Sequence, residues 1–127
     1  MKKILIADDQ AGWRMFHTEA IKGILGNNVV LEAVPSAQEA YNLLLTNFLE
    51  PYDVIITDMQ MEDDYAPKMA GEWLLEQIKG IAPYASAKVV VISASPMSRH
   101  IADEYGAMCF SKSEVAASAE VYKQIIE

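Results

Sequence analysis

Only one cysteine, Cys109, stands among the 127 residues, so no disulfide can form within the chain. A lone thiol suits a reducing compartment, and a cytoplasmic location is the simplest expectation. Long apolar runs are missing too: none approaches the roughly 20 residues that a membrane helix needs. The opening MKKILIADDQ has a basic pair, but its apolar stretch is one strand long and ends in two aspartates, which argues against a signal peptide. Positive charge is scarce. Ten Lys and Arg face eighteen Asp and Glu, for a net charge of -8. Nucleic acid and anionic membranes, which both need a basic face, are therefore not expected as direct ligands. The plainest consequence of the charge is solubility. Repeats, linkers and low-complexity tracts are absent. His17 and His100 lack metal-ligand spacing and read as surface or packing residues. Trp13 and Trp73 read as helix packing, and the methionines as core filler.

What is present is enough apolar content for a core, 52 % of residues, in a chain of one-domain length, 1–127. Short apolar runs alternate with helical patterns, the signature of a parallel α/β domain. The first strand spans about Lys3 to Ala7, followed by a helix with Trp13, Phe16, Ala20 and Ile24 at helical spacing and a stop at Gly26-Asn27. The second strand, about Val29 to Val34, precedes a helix capped by Ser36 with Ala37, Tyr41, Leu44 and Phe48 inward. Asp53 to Thr57 is the third strand. A long polar connection, Asp58 to Ala70, leads to a helix bearing Leu74 and Ile78. The unbroken β-branched run Lys88 to Ile92 suits a central strand buried on both faces. Ser95-Pro96 reads as N-cap and first position of a weakly amphipathic fourth helix, ended by Gly106. Ala107 to Phe110 is the fifth strand. Ser113 is a candidate cap for a last helix with Val115, Ala119, Tyr122 and Ile126 inward.

Chemistry-bearing residues fall at the ends of these strands. Asp8 and Asp9 follow KILIA, Asp58 follows DVIIT, Ser93 follows KVVVI and Lys112 follows the run AMCF. In an open α/β sheet, ligands bind outside the carboxyl ends of the strands. The spacing thus gathers three carboxylates in one crevice. Each resists ionising beside the others, and a hard divalent cation such as Mg²⁺ is the simplest stabiliser.

In this order and at these boundaries, Asp8-Asp9, Asp58, Ser93 and Lys112 resemble the receiver domain of two-component response regulators. The resemblance covers Met1 to about Ile126. It implies a doubly wound, five-stranded parallel sheet of flavodoxin-like order 2-1-3-4-5 with helices on both faces. Asp58 would be the phosphoacceptor. Asp8, Asp9, Asp58 and the backbone carbonyl of Gln60 would hold Mg²⁺. Ser93, Ala94 and Lys112 would contact the phosphoryl group. A histidine kinase or phosphotransfer protein would be the donor. The fourth-helix to fifth-helix face would be remodelled for a downstream protein, in a monomer or weak dimer. Phosphoryl transfer would be self-catalysed at most, so no enzyme is expected.

The chain also departs from the family pattern. Ser113 stands where a proline usually follows the lysine. The family's switch aromatic lies three residues before the lysine, where this chain has Cys109. Phe110 takes that role only if the loop carries a local deletion. The connection after Asp58 is about five residues longer than usual and carries Glu62, Asp63, Asp64 and Tyr65. A pseudo-receiver that signals without phosphate is the alternative reading. A Mg²⁺-dependent aspartyl phosphohydrolase ranks lower, because such enzymes place two aspartates, one residue apart, after their first strand.

Overall fold

Strands β1 (Lys2–Ala7), β2 (Val29–Val34), β3 (Val54–Thr57), β4 (Lys88–Ser93) and β5 (Met108–Ser111) form a parallel sheet in the order β2-β1-β3-β4-β5. This is the order the resemblance implies. The structure is a computed structural model and describes residues 1–61 and 68–127. The expectations attached to Glu62, Asp63, Asp64, Tyr65 and Pro67 lie outside the described residues.

Alternation along the strands divides the core in two. Ile4, Ile6, Ile56, Val90 and Ile92 point to one face, where α1 (Ala11–Leu25), α5 (Lys112–Ala117) and α6 (Glu120–Ile126) cover them. Leu5, Ala7 and Ile55 point to the other, under α2 (Ala37–Thr46) and α3 (Ala70–Gly80). Met59 and Val91 meet α4 (Ser98–Glu104) on that same side. With both faces covered, the middles of the central strands are apolar, and all four residues of β3 are buried.

Glycines end two helices as expected. Gly26 closes α1 at φ 60°. Gly106, at φ 69°, ends α4: its N–H reaches the Asp103 carbonyl and the Ala107 N–H reaches that of Ala102. These paired bonds are the Schellman pattern, which needs a left-handed residue. Ser36 caps α2 by accepting the Glu39 N–H.

Several helix expectations need correction. The inner stripe of α1 is His17 and Ile21, with Trp13, Ala20 and Leu25 packed beside it, while Phe16 and Ile24 are exposed. His17 can face inward because Tyr122, on α6, supplies a buried polar partner. In α2 the buried residues are Ala37, Ala40 and Leu44; Phe48 lies beyond the helix end and is exposed. Ser95 and Pro96 do not start α4. The Ser95 hydroxyl accepts the Met97 N–H at 3.4 Å, closing a turn, and the helix begins at Ser98. Ser111, not Ser113, caps α5, through a reciprocal box with Glu114. The expected last helix is two helices broken at Ser118, so Ala119 is exposed and Val121, Tyr122, Ile125 and Ile126 reach the core.

Candidate functional site

Strand register brings the acidic residues together. Ala7 of β1 pairs with Thr57 of β3, so Asp8 and Asp58 leave neighbouring strands side by side. The Asp58 N–H still bonds the Ala7 carbonyl at 2.9 Å. Ser93 pairs with Ser111 across β4 and β5, which sets Lys112 one residue beyond that pair. Helix α3 presses on the same place. The Gly71 N–H bonds the Met59 carbonyl at 2.8 Å, and a Cβ on Gly71 would fall 2.2 Å from the Asp58 carbonyl oxygen. Glycine is therefore required where the helix meets the Asp58 backbone.

Asp9, Asp58, Gln60, Ser93, Ala94 and Lys112 all line one cleft of about 270 Å³. Asp8 is buried and is not part of that lining. Asp8, Asp9 and Asp58 each offer a carboxylate oxygen, and the three oxygens lie within 4.8 Å of one another. Lys112 Nζ is 2.8 Å from Asp58 Oδ2 and 3.3 Å from Asp8 Oδ2. The second Asp58 oxygen, Oδ1, accepts the Met59 N–H at 2.7 Å. Asp8 Oδ1 accepts the Gln10 N–H at 2.9 Å, while its Oδ2 is buried and has the Lys112 ammonium as its close neighbour. Ser93 Oγ accepts the Ser95 N–H at 3.0 Å, which ties the site to the turn before α4.

Burial, with Asp58 adding to it, raises the Asp8 pKa above the usual carboxylate value despite the Gln10 N–H and the nearby ammonium. Burial alone would lower the Lys112 pKa; the Asp58 and Asp8 carboxylates outweigh it and hold the group protonated above its ordinary value. One ammonium does not balance three carboxylates. The hard oxygen donors, their mutual distances and a buried Asp8 Oδ2 whose close neighbour is the shared Lys112 ammonium fit a divalent cation with an oxygen preference.

Three neighbours were not expected at the site. Lys112 Nζ lies 5.3 Å from the centre of the Trp13 ring. His17, nearly fully buried, sits with Nε2 4.0 Å from Asp8 Oδ2 and Nδ1 2.5 Å from the Tyr122 hydroxyl. Burial, then Lys112, lowers the His17 pKa from 6.5 to about 4, so the ring is neutral at pH 7. The usable signal was the four-residue spacing of Trp13 and His17, which puts both on one face of the helix that follows the aspartates.

In β5, Cys109 joins the cluster under α4, and Phe110 joins the one under α1, α5 and α6. Neighbouring residues in a strand face opposite ways, so the two are not interchangeable.

The fold is that of response-regulator receiver domains. The signal receiver domain of a DNA-binding response regulator (merR) from Colwellia psychrerythraea 34H matches with a TM-score of 0.77 at 22 % identity, over 99 % of this chain and 98 % of that one. A LuxR-family DNA-binding response regulator from Staphylococcus aureus matches at 0.75 and 22 %, over 99 % and 96 %. The chemotaxis response regulator CheY4 of Vibrio cholerae matches at 0.66 and 20 %, over 86 % and 83 %. No family model and no curated protein matches the sequence. Among the described residues, no helix is long and apolar enough to cross a membrane.

Proposed function

We propose that residues 1–127 act as one phosphorylation-controlled receiver, with Asp58 as phosphoacceptor. The observation that carries this reading is the contact of Lys112 with both Asp58 and Asp8, inside a three-carboxylate cluster at adjoining strand ends. A phosphohistidine on a kinase or phosphotransfer protein is the donor. An Asp58 oxygen attacks the phosphorus and the P–N bond breaks. Its electron pair stays on the imidazole nitrogen, which takes up a proton. A carboxylate is a weak nucleophile and the incoming group is anionic, so catalysis rests on positioning and charge compensation. Asp8, Asp9, Asp58 and the Gln60 carbonyl are the residues that would hold Mg²⁺, which when bound supplies charge compensation and a fixed ligand frame.

The other residues have separable tasks. Lys112, already paired to Asp58, moves its charge to the phosphoryl oxygens once the acceptor is esterified. Ser93 uses its Oγ lone pair for the Ser95 N–H, which leaves the hydroxyl proton for a phosphoryl oxygen. Ala94, exposed and small, leaves the entrance clear. A shift of Ser93 pulls on Ser95 and so on the turn that leads into α4. The output is a remodelled α4–β5–α5 face that a downstream protein reads. Cys109, which faces α4, takes the place of the switch aromatic; Phe110 faces the other way. We place the protein in the cytoplasm.

Incubation with acetyl phosphate and Mg²⁺, followed by intact mass, separates the readings. The receiver gains one labile phosphoryl group per chain, lost in Asp58→Asn. A pseudo-receiver gains none, and a phosphohydrolase consumes many equivalents.

A further inference from the structure

Lys112 occupies an unusual setting. It is the first residue of α5, and its main chain is fixed by the Ser111–Glu114 capping box. That box holds the backbone only. The side chain is a flexible stem ending in a strongly hydrated point charge, which water competes for. Besides the Asp58 and Asp8 carboxylates, the ammonium meets the indole of Trp13, whose ring centre lies 5.3 Å from Nζ, within the range of a cation–π contact. The indole is itself held by edge-on Phe16 at 5.2 Å and tilted His17 at 5.5 Å.

We propose that Trp13 is a positioning residue for Lys112, holding the ammonium between Asp58 and Asp8 for phosphoryl transfer; this rests on the receiver reading. The indole face attracts the charge without neutralising it. Lys112 therefore keeps its full positive charge for the phosphoryl oxygens, which an ion pair to a further carboxylate would diminish. The indole also covers one side of the ammonium, so the charge acts in a less hydrated setting, where it counts for more.

Two measurements test this, and the first does not depend on phosphorylation. In a Trp73→Phe background, Trp13 is the one remaining tryptophan. Lys112→Met keeps the stem and removes the charge, and should change the emission of Trp13. An unchanged emission spectrum overturns the proposal. The second measurement compares Trp13→Phe, which keeps a π face, with Trp13→Leu, which does not. Both should melt cooperatively. Trp13→Phe should phosphorylate with acetyl phosphate within about twofold of the parent, and Trp13→Leu roughly three- to tenfold more slowly. Equal rates for the two variants overturn the positioning role, because a merely space-filling residue would not distinguish them. If the parent protein takes up no phosphate at all, the receiver reading fails, and the emission result alone decides whether Trp13 holds Lys112.

Discussion

The α1–α6 side of the acidic cleft and its α4 side are built to different standards of completion. On the first, Trp13, His17 and Tyr122 run from Lys112 and Asp8 into the core, and the one buried imidazole has a phenol partner at 2.5 Å. On the second stands α4, tied to the cleft through the Ser95 N–H that Ser93 Oγ accepts. Beside it lies a groove of about 240 Å³ lined by Ser93, Ser98, Cys109 and Phe110 among others, and the Ser98 hydroxyl is buried with no hydrogen-bond partner. An unpaired buried hydroxyl is relieved by rearrangement. A satisfied aromatic wall is not. Charge added at Asp58 should therefore be felt toward α4, while the α1–α6 side acts as the fixed frame.

The largest expected effect concerns the cleft that the two sides share. Asp58→Asn should abolish phosphate uptake. Stability should stay equal or rise, because one of three neighbouring carboxylates is gone. Uptake at the parent rate would remove Asp58 as the acceptor.

Next comes the fixed side. The folded-state pKa of His17 lies near 4, below the ordinary 6.5. Its contribution to stability is then fully present above 6.5 and is lost as the pH falls toward 4, because the unfolded chain binds the proton first. The loss amounts to about 3 kcal/mol. Asp8, whose pKa is raised, works in the opposite direction as the pH falls. The difference between the parent and His17→Gln in denaturant melts at several pH values isolates the histidine. The same acid slope in both proteins would contradict a buried neutral His17.

A paired substitution sharpens the comparison. Tyr122→Phe leaves His17 Nδ1 buried without its partner and should cost about 2 kcal/mol. Ser98→Ala removes a hydroxyl that makes no bond and should change stability by less than about 0.5 kcal/mol, or raise it. Equal costs would erase the distinction between the two sides.

A smaller effect follows from the cation that the carboxylates suit. Mg²⁺ at ten times its dissociation constant should stabilise the fold by about 1.4 kcal/mol. Asp8→Ala and Asp9→Ala should each reduce that gain, measured as a shift in melting temperature. A parent protein insensitive to millimolar-scale Mg²⁺, about the range for a carboxylate site that retains waters, would count against the site.

The sequence carried most of the fold because its signals are local. β-branched runs marked the strands, and Gly26 and Gly106 marked two helix ends by their positive φ. The site was legible for the same reason: Asp8, Asp58 and Ser93 sit at strand ends, and parallel register does the assembling. What escaped was set by distant partners. His17 faces inward because of Tyr122, 105 residues away, and no local pattern announces that. The cap of α5 falls at Ser111 and not at Ser113 for a local reason. Ser111-x-x-Glu114 fits the capping-box pattern, whereas Ser113 has Ala116, which cannot reciprocate, three residues on.

The central claim is that a phosphoryl group on Asp58 is sensed by Lys112 and passed toward α4. Amide chemical shifts with beryllofluoride, a phosphoryl mimic, and Mg²⁺ test it most directly. In the parent protein, changes should spread from the cleft through Ser93 and Ser95 into α4 and β5, leaving most of α1 and α6 quiet. In Lys112→Ala the spread should shrink toward the cleft. The absence of any change in the parent, changes centred on α1 and α6, or the same spread in both proteins would contradict the account.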